Sequence, residues 1–287
     1  MSEWGSAKAL QGLVDERRLD RKTLDILKPK GFLGSFNLCS HNILNQGLTA
    51  GELREFYSGY ELTNHCKLHP RLAKEEYKEQ ISLSEEVEPG LYRYTDEKGR
   101  TYHYAEVDAY KRLVDSGKRE LEEIFGEGSI RAFVWPYCDQ KSPELDEYFK
   151  QCRYTSVRRT GAAPDFNLPS DRMHWAYNAI HSNLLEKANE FDALSDDGKL
   201  KYFCFGVHSH DFENNDCWEV LVKFAEKYGN RPTDFWYATV GDIFDYEDAV
   251  SSLIESGDTV TNPSELPIYL ELDGKKTVIN PKTTVKI

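Results

Sequence analysis

The chain has 287 residues, with 49 acidic against 36 basic side chains, a formal net charge of −13 and a pI near 5.2. That balance argues against the backbone of a nucleic acid or an anionic membrane surface as partner. No run of eighteen or more apolar residues occurs, which excludes a bilayer-spanning helix.

Near the start, "DRKTLDILKPK" places Leu24, Ile26 and Leu27 on an amphipathic helix that must end near Pro29. "GFLGSFNL" (31–38) reads as a buried strand. "TAGELREFYSGY" follows as a helix with Thr49 as N-cap and Glu52 three residues later. "YELTNH" is the next strand and ends at the first of two histidines, His65 and His69. Ala105 to Phe125 reads as one long helix, and "IRAFVWPY" (130–137) as another buried strand. "SPELDEYFKQC" is helical and "YTSVRRT" short and extended. After the helix "SNLLEKANEF", "KYFCFGVHSH" (201–210) reads as an apolar strand and "DCWEVLVKFAEKYG" as its helix. "DFWYATVGDIFDY" is taken as the next strand and turn.

Strands that alternate with helices imply a parallel sheet, and about seven such units favour a barrel. The end, "LPIYLELDGKKTVINPKTTVKI", alternates polar and apolar residues around an Asp-Gly turn and reads as a terminal hairpin. The expectation is an α/β chain: a distorted (β/α)7-type barrel over 1–258, with a small β appendage over 259–287 packed on it.

Six scattered cysteines without a C-x-x-C pair fit reduced thiols. The opening "MSEWGSAKALQG" lacks a signal-peptide pattern, which points to the cytoplasm. A secreted or periplasmic protein remains open if a leader has been removed. Aromatic residues make up 13% of the chain, including 17 tyrosines, a supply of rings for stacking on sugars as well as for the core.

In a barrel of this kind the chemistry belongs at the carboxyl ends of the strands. His65 and His69, Tyr137, and His208 with His210 all fall there, from segments far apart in sequence. On one turn of helix, residues four apart share a face, so His65 and His69 together could reach one cation.

These segments resemble the polysaccharide deacetylases of carbohydrate esterase family four. "GYELTNHCKLHP" is similar to that family's second motif, with His65 and His69 at its metal-binding histidines. "FVWPYCD" resembles the third motif, and "FGVHSHDFENNDCWEVL" with "FWYATVGDIFDYEDA" the fifth motif of one subgroup. The resemblance covers residues 8–250. It implies a metal-dependent hydrolase that removes N-acetyl groups from an amino-sugar-containing glycan or glycoside. It also implies a divalent metal, zinc before cobalt, nickel or manganese, and a carbohydrate substrate. No nucleic-acid or membrane partner is implied, and the oligomeric state stays open.

Carried over residue by residue, His65 and His69 would be metal ligands and His208 the general acid that protonates the leaving amine. Tyr137 would offer its backbone N–H to the oxyanion, and Trp175 would stack on a sugar face. The family's first motif, two aspartates before a glycine, is altered here to "LQGLVDERRLDRK". In one register Asp15 is the metal ligand and Val14 stands at the base. In the other, Asp15 is the base and Glu16 the ligand. "FVWPY" also lacks the arginine that many relatives use to orient the base. Two alternatives follow: a catalytically impaired carbohydrate-binding relative, or a hydrolase of another non-peptide C–N bond.

Overall fold

The computed structural model describes residues 10–137, 142–195, 197–272 and 275–286; the side chains of residues 10–18, Thr160, Leu272, Lys275 and Lys276 lie outside the described set. The chain divides into two compact units, Met1–Tyr237 and Ala238–Ile287. The sequence reading sets that division at 258/259.

The first unit opens with helix α1 (Leu10–Leu27), which stops at a 3-10 turn holding Pro29 and at Gly31, whose φ is +79°. The order continues with β1 (Ser35–Leu38), α2 (Ser40–Leu44), α3 (Ala50–Phe56) and β2 (Glu61–Asn64). All four residues of β1 are buried, as a strand covered on both faces requires. Thr49 and Glu52 form the expected capping box of α3: Thr49 Oγ1 accepts from Glu52 N, and Thr49 N donates to the Glu52 carboxylate at 2.8 Å.

An insertion follows that the sequence reading passes over. It comprises β3 (Arg71–Leu72), α4 (Lys78–Ser82), β4 (Glu85–Glu88), β5 (Leu91–Thr95) and β6 (Thr101–Ala105). These strands form their own sheet in the order β3-β6-β5-β4. The central sheet then resumes through α5 (Val107–Phe125), β7 (Ile130–Val134), α6 (Pro143–Gln151), β8 (Ser156–Ala162) and β9 (Trp175–Tyr177). Helices α7 (Leu184–Asp192), α8 (Ser209–Asn214) and α9 (Trp218–Tyr228) complete the unit. On α5, residues 109, 110, 113, 114, 117, 121 and 124 are buried, the three-and-four spacing of one helix face.

The fold is mixed α/β. Strands run parallel in the order β1-β2-β7-β8-β9, and a parallel bridge from Ala179 to Phe205 adds a sixth, giving a curled half-barrel. One core lies under β1, β2 and α5 around Phe36, Leu38 and Leu121, and a second under β7 and α6 around Phe133, Trp135 and Phe149. A third joins α7, α8 and α9 around Leu184, Phe212 and Leu221.

Two expectations need correction. Residues 201–210 make only bridges at Lys201 and Phe205 before α8 begins. In the second unit, Val240–Ser251 is helix α10 rather than strand and turn. Thr239 caps it, its Oγ1 accepting from Asp242 N at 3.1 Å. The aromatic and β-branched run "FWYATV" biases the reading towards strand, but the Thr-x-x-Asp cap starts a helix. The second unit ends in β10 (Ile254–Ser256), β11 (Thr259–Thr261), β12 (Ile268–Leu272), β13 (Lys275–Ile279) and β14 (Thr284–Lys286). Strands β12 and β13 pair as the expected antiparallel hairpin. Among the described residues, no helix is long and apolar enough to cross a membrane, and cysteines 39, 66, 152, 204 and 217 are free thiols.

Candidate functional site

The carboxyl ends of β1, β2 and β7 bring polar side chains into a buried layer. Thr63 Oγ1 donates to Asn37 Oδ1 at 2.8 Å, and Asn64 Nδ2 donates to Val114 O at 2.8 Å and to Tyr154 Oη at 2.9 Å. His65 follows directly and has no exposed surface. Its Nδ1 lies 2.6 Å from the carbonyl oxygen of Val134, at the end of the neighbouring strand. A carbonyl only accepts, so Nδ1 carries the proton and Nε2 the lone pair. That tautomer is the one a metal-ligating imidazole needs.

His65 and His69 do come together, but not on a helical turn. Residues 65–70 form a loop in which Cys66 and His69 adopt positive φ, +64° and +54°. The loop folds back so that the two imidazole centroids lie 4.6 Å apart. Cys39 Sγ donates to His65 O at 3.1 Å and Lys67 N to Leu113 O at 3.1 Å, tying the loop to β1 and α5. Such strained residues persist where the surroundings over-determine them, and they cluster at functional sites.

Tyr137 also has positive φ, +51°. Its ring packs against His69 at 4.4 Å between centroids, and the Arg71 guanidinium carbon lies 3.7 Å from the Tyr137 ring centroid. Burial pushes the Tyr137 phenol up to about 12, against the opposing pull of Arg71.

His208 and His210 are stacked, with centroids 4.8 Å apart and an interplanar angle of 14°. No strand forms at 208–210, where α8 begins. The two rings share a side because His208 is the N-cap of α8 and His210 lies in its first turn. Asp211 accepts from both the backbone N and the ring Nδ1 of His208, each at 3.0 Å. Burial alone would raise the Asp211 carboxyl, but these hydrogen bonds from His208 hold it below its ordinary value. Among the described residues, His208, His210 and Asp211 form a group of three metal-ligating side chains whose ligand atoms lie within 4.8 Å of one another.

Asp15 and Glu16 lie within α1, and their side chains fall outside the described residues. Trp175 sits in β9 with 4% of its surface exposed, inside the core rather than offering an open face to a sugar. Two carboxylates that the sequence reading passes over lie near the His208 end. One is Asp211. The other is Asp20 of α1, 2% exposed, which accepts a hydrogen bond from Ser209 Oγ. Asp20 stands three residues before Thr23 and seven before Leu27, on the helix face that the apolar spacing turns inward. An acidic residue on that face is the signal that would have found it.

The fold and site thus define a mixed α/β protein with histidines at the carboxyl ends of a parallel half-barrel. No family model and no curated protein matches the chain.

Proposed function

We propose that this chain is a metal-dependent hydrolase that removes N-acetyl groups from an amino-sugar-containing glycan, on a distorted (β/α)7-type barrel. The observation that carries the reading is the imidazole pair His65/His69, with the His65 tautomer set by Val134 and Tyr137 packed beside it.

His65 and His69 would hold the cation, with Asp15 or Glu16 completing the donor set. Zinc suits such a set, with cobalt, nickel or manganese as substitutes. When bound, the ion supplies Lewis acidity and a water acidified towards neutral pH. His208 donates a proton to the departing amine, which leaves poorly without it. Asp211 holds the His208 ring by Nδ1, so the proton given to the amine would come from Nε2. The Tyr137 backbone N–H serves the oxyanion, a contribution typically worth roughly 3 kcal/mol.

One observation favours a second reading, a carbohydrate-binding relative without turnover. Residues 15 and 16 lie in the body of an 18-residue helix rather than at the end of a strand.

Acetate release from chitin oligomers with added zinc or cobalt decides between them. The hydrolase reading expects turnover in the wild type, none in His65→Ala, and loss of turnover with metal retained in His208→Ala. Wild-type protein that binds metal and oligomer but releases no acetate selects the second reading.

A further inference from the structure

The inserted sheet beside the imidazole pair carries an open cavity of about 350 Å³. Four of its lining residues are tyrosines. Tyr94 pairs with Tyr102 across β5 and β6, and Tyr92 with Tyr104 in the same ladder, so these rings share one face of the sheet. Tyr77 closes the cavity from the side, its ring 5.2 Å from that of Tyr104. A row of rings on one face of an open cleft matches the apolar face of a pyranose.

The charges in the cavity are unevenly balanced. Asp96 is neutralised by Arg100, whose Nε donates to it at 2.7 Å, and it also accepts the backbone N–H groups of Lys98 and Arg100. Arg71 differs. Its Nη1 donates to Tyr77 Oη at 3.1 Å and its guanidinium covers Tyr137, and among the described residues no carboxylate pairs with it. An arginine held by rings and facing a cavity, with no counter-ion among the described residues, is prepared for a carboxylate, which its planar fork can grip with two hydrogen bonds.

We propose that this cavity is a subsite for a uronic acid residue of the glycan, its carboxylate on Arg71 and its ring against Tyr94 and Tyr102. The inference rests on the glycan reading above and narrows it to an acidic, N-acetylated polysaccharide. Tyr137 joins the two places, since its ring touches His69 and lies under Arg71. A uronate in the cavity thus neighbours the acetamido sugar at the imidazoles.

Calorimetric titration of the full chain with a tetrasaccharide of alternating glucuronate and N-acetylglucosamine tests this, against the same oligosaccharide with its carboxyls reduced to alcohols. The acidic form is expected to bind at least tenfold tighter. Arg71→Gln is expected to bring the two within twofold with an unchanged melting temperature, and Tyr102→Ala to weaken both alike. Equal wild-type affinity for the two forms overturns the proposal without recourse to any variant. So does an Arg71→Gln protein that still prefers the acid, or the absence of binding by either form. Acetate release is measured separately on the same preparations, and His65→Ala is expected to keep the preference for the acid. Failure of the hydrolase reading and failure of the subsite therefore give different results.

Discussion

The imidazole of His65 donates from Nδ1 to the backbone oxygen of Val134, so the tautomer of the residue that follows β2 is set by the end of β7. Removing the ring has two separable consequences. His65→Ala leaves a buried carbonyl without its donor, which costs about 1–3 kcal/mol with no metal present. It also removes a proposed ligand. Zinc at a hundredfold excess over its dissociation constant should raise the wild-type melting temperature by roughly 5–10 °C. The variant should melt lower and show no zinc-dependent rise. A variant that rises with zinc as the wild type does would place the cation elsewhere, with the His208 group the first alternative.

The pairing of Asp211 with His208 predicts a pH signature. Asp211→Asn keeps an acceptor for Nδ1 but removes the charge that favours the imidazolium. Turnover should fall, with the full general-acid contribution of roughly 10²–10⁴-fold as the ceiling. The alkaline limb of the pH profile should move to lower pH, with metal content unchanged. Stability gives an independent check. The folded Asp211 carboxyl lies below its ordinary value of 3.8, so its contribution is present above that value and is lost as pH falls through the folded one. The gap in melting temperature between wild type and variant should be widest near neutrality and close in acid.

The parts of this site that follow local rules were readable in the sequence, and those set by long-range contact were not. The strand ending at Val134 reads directly from its apolar run, and α3 from its cap. The meeting of His65 with His69 was foreseen, but for the wrong reason: a loop with two positive-φ residues does what a helical turn was expected to do. The insertion was missed because β4 is Glu-Glu-Val-Glu and β5 sets tyrosines among Arg93 and Thr95, so little apolar signal marks them as strands. The period-two tyrosines of "LYRYT" and "TYHYA" were the available clue. Asp20 and Asp211 gain their roles from Ser209 and His208, contacts that a strand assignment for 201–210 hides.

Gly117 in α5 shows how closely the histidine loop is packed. A Cβ there would lie 2.8 Å from Asn64 Oδ1, 2.9 Å from Cys66 C and 3.0 Å from Lys67 N. None of these can retreat easily, since Asn64 and Lys67 are both hydrogen-bonded back to α5. Alanine gains about 1 kcal/mol of helix propensity over glycine, while overpacking costs about 1–3 kcal/mol. Gly117→Ala should therefore be neutral to destabilising by about 2 kcal/mol, and should weaken zinc binding through the displaced loop. Gly51→Ala in α3, with its nearest neighbour at 3.8 Å, is the control that should not destabilise. Chemical denaturation of the two variants checks both signs.

His103 on β6 makes the insertion acid-sensitive by a route independent of any metal. Burial pushes its imidazole down to about 4, helped by His41 and by Arg93, its partner across the ladder. The folded form therefore resists protonation that the unfolded chain accepts at its ordinary value of 6.5. The sign follows: stability is full above that value and declines as pH falls towards 4. The drop should be on the order of 1–2 kcal/mol, less than the full shift implies because the ring keeps some solvent contact. His103→Gln should flatten that part of the curve while leaving the carboxylate-driven losses at lower pH. Parallel wild-type and variant stability profiles between pH 7 and 4 would remove His103 as the cause.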